Sequence, residues 1–431
     1  MDNNSIWRTR VQNFAGVLQR NKYVNTVSNG LAAGLSVILV GAIFTLINTI
    51  NIPAYQNFLE TTNLKALTSI PPMITIDILS LYVVFGVGYT MATQFKQDGF
   101  SAGLIALMSF LAVTPVGLLD DGATRALSFQ WLGSTGLFVA MLIGIGVGRL
   151  YVLILEKGFY VRMPKGVPPT ITKSFAAMTP AFIIIFLVLA IRGIFNATSY
   201  GNIHEFIYTV LQVPLLALGG SWWAYLIITV VISLLWFFGI HGAMVAIGVM
   251  APIWTALNLE NLSAFQAGEP LPHLFPGSSF FMTYTALGGS GATIGLVIAM
   301  VRARSKRYKT LGKLAIVPSA ANINEPVIFG TPMVLNPKLF IPFMLAPIVV
   351  TGIAMIATAI GLVPPLIGIG APLGTPILIN GFLEGGWRVA ALQAVLVVIS
   401  FIMYFPFFRS LDKDAWKNEQ ELEEEERKAV E

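Results

Sequence analysis

Nine apolar segments, each about long enough for a membrane crossing, dominate this chain of 431 residues. A helix needs about 20 consecutive apolar residues to cross a bilayer. Charged residues make up only 11% of the chain, against about 25% in soluble domains, which excludes an ordinary soluble enzyme. The sequence therefore predicts an all-α polytopic membrane protein embedded in a lipid bilayer. The nine segments are 30–50, 74–95, 101–118, 131–155, 175–195, 223–256, 279–301, 339–361 and 387–408.

One of these segments, 223–256, is too long for a single crossing. Its 34 residues would form a helix of about 51 Å, whereas the hydrocarbon core is about 30 Å thick. Because Gly239-Ile-His-Gly242 interrupts the segment, we interpret it as two crossings that meet at this glycine break. This interpretation gives ten crossings in total. The alternative is one long tilted helix together with a crossing at 203–221.

Two further segments, 314–337 and 362–386, are apolar but contain too many proline and glycine residues for a regular span. Irregular backbone at membrane depth is tolerated only where protein or a water-filled cavity solvates it. We therefore predict two re-entrant hairpins that line a pathway, as in the binding sites of transporters. Hydrophobic loops on the surface are the alternative.

These segments divide the chain into four predicted regions. Residues 1–27 are expected to form a cytoplasmic amphipathic segment at the membrane surface. Residues 28–200 hold five regular spans, which suit a scaffold or dimerisation half. Residues 201–411 hold both hairpins and the glycine break and are the predicted transport half. Residues 412–431, with nine acidic and four basic side chains, are a predicted acidic cytoplasmic tail.

The positions of Lys and Arg predict the orientation of the chain. With a cytoplasmic N-terminus, 18 of the 22 basic residues before residue 412 fall on the cytoplasmic side. The exceptions are Lys65, Arg125, Arg192 and Arg388. Since cytoplasmic loops of membrane proteins are enriched in Lys and Arg, both termini are expected in the cytoplasm and the protein in the cell membrane. The net charge of +5 is thus explained by topology, and no nucleic-acid partner is expected.

Two ionisable side chains in the transport half are the predicted catalytic residues. Glu325 lies between Asn324 and Pro326 in the first hairpin, and His241 lies in the glycine break. Ionisable residues at membrane depth are costly and therefore indicate function. A carboxylate in apolar surroundings can accept a proton, and glycines beside His241 let a ligand approach closely. The structural alternatives are a helix N-cap for Glu325 and a hydrogen-bonded core imidazole for His241.

Five more residues are predicted to bind a ligand rich in hydroxyl groups, such as a sugar. Asn322 and Asn324 carry amides that pair with hydroxyls, with turn formation as their alternative role. Trp236 offers a face for stacking on a sugar ring. Trp387 either does the same or belongs to an interfacial aromatic belt. Gly239 belongs to the break and leaves room for the ligand.

Other patterns favour structural roles. Glu384 and Arg388 lie four residues apart and are expected to pair across one helical turn. The segment 288–295 lacks the Lys-Ser/Thr of a phosphate loop, so Gly291 and Gly295 are interpreted as small residues for close helix packing. With no cysteine and three histidines, the chain is predicted to have no metal site and no cofactor.

Several motifs together resemble the membrane IIC component of the bacterial phosphotransferase system, in particular its lactose/cellobiose/diacetylchitobiose family. The most specific is the Asn-Glu-Pro sequence within 322–330. The resemblance covers essentially residues 1–410. The other motifs are 163–169, 239–242, 288–293 and 380–393.

The resemblance implies a homodimer of ten-helix protomers that bind an extracellular β-linked disaccharide and import it. Cellobiose, diacetylchitobiose and lactose all remain open as the substrate. A phosphorylated IIB protein, with IIA involved indirectly, would dock from the cytoplasm and phosphorylate the sugar 6-hydroxyl. Glu325 and His241 match the essential acidic and histidine residues of the family, and either is a candidate proton acceptor. The alternative function is a proton-coupled secondary sugar symporter with Glu325 as its proton site.

Overall fold

The computed structural model of the chain describes residues 13, 16–17, 20–50, 52–119, 122–164, 166–331, 333–334 and 336–430. Helices make up most of this part of the chain. Its strands form one antiparallel hairpin, Val116–Leu118 with Arg125–Leu127. The predicted helical membrane fold is therefore confirmed. The amphipathic segment predicted for residues 1–27 lies largely outside the described residues.

Seven helices in the described ranges are long and apolar enough to cross a membrane, or eight if a bent pair counts as one span. The pair consists of Ile203–Gly219 and Trp222–Phe237, with a bend of 67° between them. Residues 203–219, interpreted from the sequence mainly as a loop, are thus helical. The seven helices are Lys22–Thr49, Leu64–Gln94, Ser134–Glu156, Pro169–Asn196, Gly242–Ala267, Pro337–Ala359 and Ile379–Lys428.

Two of the ten predicted crossings are shorter than expected. The segment 101–118 is observed as the 15-residue helix Gly99–Val113, because the chain then turns into the hairpin that begins at Val116. The segment 279–301 is broken into short helices, since the glycine-rich sequence 288–291 turns the backbone between them.

The chain divides into two compact units. One comprises Gln19–Gly219 and Gly248–Pro272, and the other includes Gly220–Ile247 and His273–Glu431. All seven predicted site residues belong to the second unit. Residues 203–219 and 248–272 group with the first unit, although the sequence placed them in the transport half. The division of labour between a scaffold half and a transport half stays a prediction.

The first unit is built on helices that pack closely through glycine. A Cβ added at Gly144 would lie 2.7 Å from the Val87 side chain, and one at Gly148 would lie 2.8 Å from Met91. Gly144 and Gly148 therefore serve helix packing, whereas a Cβ at Gly146 would have nothing within 4 Å. The helices are Lys22–Ala33, Leu35–Thr49, Pro53–Thr61, Leu64–Thr68, Ile70–Thr75, Leu79–Gln94, Gly99–Val113, Leu137–Glu156, Pro169–Asn196, Ile203–Ile207, Val213–Gly219 and most of Gly242–Ala267.

The second unit consists of helices that stop and restart. Within 314–337, one helix ends at Ala320 and a six-residue helix begins at Glu325. Within 362–386, the backbone is irregular until a helix begins at Ile379. Both segments are thus broken where the sequence predicted hairpins. The helices of this unit are Trp222–Phe237, the start of Gly242–Ala267, Gly277–Phe280, Phe281–Thr285 (a π-helix), Ile294–Val301, Lys306–Ala320, Glu325–Gly330, Pro337–Ala359 and Ile379–Val430.

Gly295 lets two helices of this unit touch through their backbones, which confirms its predicted packing role. A Cβ at Gly295 would lie 2.2 Å from the Phe401 backbone nitrogen.

We expect Gly295→Ala to force the two helices apart and to lower the free energy of unfolding by about 1–3 kcal/mol. Gly352→Ala is the matched control, because nothing lies within 4 Å of a Cβ at Gly352. Thermal unfolding of the purified protein in detergent should show a lowered midpoint for Gly295→Ala alone. Equal midpoints for the two variants would contradict the close packing.

Candidate functional site

The glycine break is a Schellman motif that ends the Trp222–Phe237 helix. Gly239 has a φ of +80°, which favours glycine. Its N–H donates to the Trp236 carbonyl at 2.9 Å, and the Ile240 N–H donates to the Leu235 carbonyl at 2.9 Å. Ile240 packs on Leu235 and Val245, the apolar contact that accompanies this motif. The motif therefore places Trp236 before the turn and His241 directly after it.

A second Schellman motif ends the Lys306–Ala320 helix, with Asn322 in the left-handed position at φ +61°. The Asn322 N–H donates to the Ser319 carbonyl at 3.0 Å, and the Ile323 N–H donates to the Pro318 carbonyl at 2.9 Å. Asparagine is the usual substitute for glycine at this position. Asn322 thus forms the turn that the sequence offered as its alternative role. The turn brings the chain to Glu325, the first residue of the next helix.

His241 and Glu325, 84 positions apart in the sequence, meet between these two turns. The distance from His241 Nε2 to Glu325 Oε1 is 3.6 Å. The Met244 N–H donates to His241 Nδ1 at 3.2 Å, so the neutral imidazole carries its proton on Nε2, the atom nearest Glu325. Both side chains are partly exposed, at 34% for His241 and 46% for Glu325. The pair is therefore open to a ligand.

Trp236 extends this pair into a small polar and aromatic cluster. Its ring lies 4.4 Å from the His241 ring, centroid to centroid, and 6.4 Å from the Phe329 ring. The Trp236 side chain is buried, and its Nε1 has no hydrogen-bond partner among the described residues. Glu325 Oε2 is likewise buried without a partner in the described chain. The structure thus brings together three of the seven predicted site residues.

Asn322 and Asn324 hold the glycine turn 288–293 through their amides. Asn322 Oδ1 accepts from the Gly288 N–H at 2.9 Å. Asn324 Nδ2 donates to the Ser290 carbonyl at 2.6 Å and to Thr293 Oγ1 at 3.1 Å. Both side chains are buried. The two residues therefore have a definite structural role, while their contacts to a sugar stay a prediction.

Gly291 has a different role from the predicted helix packing. It lies within the turn 288–293 at φ +83°, and a Cβ there would come 2.3 Å from the Phe343 ring. Its carbonyl accepts from the Tyr404 hydroxyl at 2.7 Å. Gly291 is therefore required by the conformation of the turn and by the ring packed on it.

Glu384 organises the irregular segment 368–371, a role that the sequence did not reveal. Its buried carboxylate accepts backbone N–H groups from Gly368, Ile369, Gly370 and Ala371, at 2.9–3.5 Å. The predicted pair with Arg388 is wrong, because Gly385 and Gly386 leave the helical conformation between the two residues. The only sequence signal was an acidic residue among glycines close to an irregular segment.

Trp387 follows this kink and is 70% exposed. The Arg388 guanidinium lies 5.8 Å from its ring centroid. The exposed position suits both of the roles that the sequence left open, stacking on a ligand and contact with the membrane interface. Gly239 has its conformational role in the first turn, and its contact with a ligand stays a prediction.

Comparisons with known proteins agree on one family. The profile of the family "Phosphotransferase system, EIIC" matches residues 28–347. The lichenan permease IIC component of Bacillus subtilis (strain 168) is 40% identical over 97% of this chain and 96% of that protein. The cellobiose-specific EIIC component of Geobacillus stearothermophilus is 37% identical over 95% and 94% of the two chains. The crystal structure of the IIC component from an N,N'-diacetylchitobiose-specific phosphotransferase system superposes with a TM-score of 0.89 and 36% identity, over 96% of this chain and 99% of that chain.

The role of Glu384 is testable by local hydrogen exchange. In Glu384→Gln, one acceptor oxygen becomes an NH₂ group that faces backbone N–H donors. We expect a loss of stability of about 3 kcal/mol and faster exchange of the amides of 368–371. Glu269→Gln, at an exposed position, is the control. Unchanged protection of 368–371 in Glu384→Gln would contradict the organising role.

Proposed function

Because the chain belongs to the EIIC family of the phosphotransferase system, we propose that it imports a β-linked disaccharide and presents the sugar 6-hydroxyl for phosphorylation by a phosphorylated IIB protein. Lichenan, cellobiose and diacetylchitobiose in the names of its relatives support this class of sugar. The observation that carries the proposal is the meeting of His241 Nε2 and Glu325 Oε1 at 3.6 Å.

The geometry of this pair suits a hydroxyl group. A sugar oxygen can lie about 2.8 Å from both His241 Nε2 and Glu325 Oε1, within hydrogen-bond distance of each. The imidazole N–H would donate to the oxygen, and the carboxylate would accept its proton. Trp236 Nε1 and Glu325 Oε2, which are buried without partners in the described chain, supply further groups for the sugar.

In the proposed reaction, the sugar oxygen attacks the phosphorus of the phosphocysteine on IIB. The O–P bond forms as the S–P bond breaks, and the cysteine leaves as a thiolate on IIB. Glu325 takes the hydroxyl proton, because His241 already directs its Nε2–H towards the sugar oxygen and has no free acceptor there. Positioning dominates such a step, since the transition state of phosphoryl transfer is loose and needs little covalent help.

The assembly and orientation are part of the same proposal. Two copies of the chain form a homodimer in the cell membrane, IIB docks on the cytoplasmic side, and IIA acts indirectly. The termini are cytoplasmic, which the excess of Lys and Arg on that side supports.

Replacing the proposed base should stop the chemistry while the protein still folds. In Glu325→Gln the side chain keeps its size but no longer accepts the proton. We expect phosphorylation of cellobiose to fall by at least about 100-fold. The measurement uses purified protein with IIB and a phosphoenolpyruvate relay, and thermal unfolding in detergent checks that the variant is folded. Full turnover in Glu325→Gln would remove Glu325 from the role of base.

The histidine should act first on binding. His241→Ala removes one hydrogen bond to the sugar, so we expect the dissociation constant for cellobiose to rise about tenfold, the effect of roughly 1.4 kcal/mol. Isothermal titration without IIB measures this constant. If affinity and phosphorylation rate both match the wild type, His241 is a structural residue.

The form of the imported sugar distinguishes the proposal from a proton-coupled symporter. Membrane vesicles are loaded with IIB and the phosphoenolpyruvate relay and supplied with a radiolabelled β-disaccharide. We expect labelled sugar phosphate inside, dependent on the relay and insensitive to an uncoupler. Free sugar that disappears with the uncoupler would instead identify a symporter, with Glu325 as the proton site.

A further inference from the structure

The C-terminal helix, Ile379–Val430, holds the start of a second helix through a buried carboxylate. That second helix, Lys306–Ala320, is called the basic helix below. Asp412 Oδ2 accepts the Arg304 N–H at 2.8 Å, and Asp412 Oδ1 accepts the Ser305 N–H at 3.0 Å. The Ser305 hydroxyl also donates to Oδ1 at 2.8 Å. Asp412 and Ser305 are both buried, so these contacts are shielded from water.

A second carboxylate, about two turns further along the same face of the C-terminal helix, also contacts the start of the basic helix. Glu419 accepts the Lys306 N–H at 2.8 Å and the Arg307 N–H at 2.9 Å. These are amides of the first helical turn, which has no carbonyl partners of its own. Carboxylates at this end also interact favourably with the helix dipole. Lys306 Nζ pairs with Glu423 at 2.6 Å, and this contact raises the pKa of Lys306 above its ordinary value.

The basic helix is packed along one face and ends at the turn before Glu325. Tyr308 is buried with its ring 5.5 Å from that of Phe408. A Cβ at Gly312 would lie 2.6 Å from the Val301 backbone nitrogen, so two backbones touch there. With 15 residues the helix is about 22 Å long, and its far end is the Asn322 turn before Glu325. The helix is continuous up to that turn, with Pro318 in its last turn, so a displacement at its start reaches the turn.

We propose that Asp412 and Glu419 are positioning residues for the sugar site, acting through the basic helix on the turn that carries Asn322, Asn324 and Glu325. This inference depends on the proposed function only in the choice of a disaccharide as the ligand in the experiment below. The acidic segment, which the sequence left without a role, thereby belongs to the machinery of the site. Its carboxylates satisfy the backbone of the basic helix and fix where that helix begins.

The experiment compares two double variants of the full-length protein. Asp412→Asn with Glu419→Gln removes two charges and weakens the contacts to the basic helix. Glu424→Gln with Glu426→Gln removes the same charge from exposed positions of the same helix. Hydrogen exchange is followed for the amides of 305–309 and 321–330, and the dissociation constant for cellobiose and for diacetylchitobiose is measured without IIB.

We expect the Asp412/Glu419 variant to exchange faster at both 305–309 and 321–330 and to bind the sugar about tenfold more weakly, a coupling of ordinary size. The Glu424/Glu426 variant should match the wild type. Glu419→Gln alone, which alters only the less buried of the two carboxylates, should show smaller changes of the same sign. This single variant replaces the double variant if the latter does not fold.

Faster exchange confined to 305–309, with 321–330 unchanged, would overturn the proposal and leave the carboxylates as local caps. Unchanged exchange at 305–309 would overturn it as well, because the two carboxylates would then not stabilise the start of the basic helix. If the wild type binds neither disaccharide, the proposed function fails. The comparison of exchange at 321–330 between the two double variants still tests the positioning role in that case. The two failures are therefore distinguishable.

Discussion

The fold of the second unit depends on one constraint, that a backbone N–H or carbonyl at membrane depth has no water to bond and must find a partner within the protein. Each broken helix in this unit leaves such groups without helical partners. Buried side chains supply the partners. Asn322 and Asn324 do so for the glycine turn 288–293, and Glu384 does so for 368–371. The irregular segments are therefore ordered parts of the fold.

The same constraint explains why the polar residues of the site converge. A Schellman motif satisfies the last carbonyls of a helix and reverses the chain within two residues. His241 follows the turn at Gly239, and Glu325 follows the turn at Asn322. Neither residue needs a long loop, so both side chains start from well-packed backbone. The helix breaks that appear costly in isolation thus bring His241 Nε2 and Glu325 Oε1 to 3.6 Å from each other.

The sequence predicts the helical membrane fold and the positions of the breaks well, because hydropathy and glycine or proline content are local properties. It predicts His241 and Glu325 as site residues because ionisable residues are rare in apolar segments, and the structure places these two side chains close together. It does not predict the partners of Asn322, Asn324 or Glu384, since these depend on contacts between segments distant in the chain. The pairing proposed for Glu384 used helical spacing, which the kink at 385–386 removes.

Two glutamates in similar proline- and glycine-rich surroundings show how partners decide a role. Glu384 is fully buried and receives four backbone N–H groups, so both of its oxygens are occupied by the backbone. Such a carboxylate suits a structural task. Glu325 has one oxygen facing His241 and one without a partner in the described chain. Glu325 is therefore the glutamate that the fold leaves free to contact a ligand, which is why the proposed chemistry is assigned to it and not to Glu384.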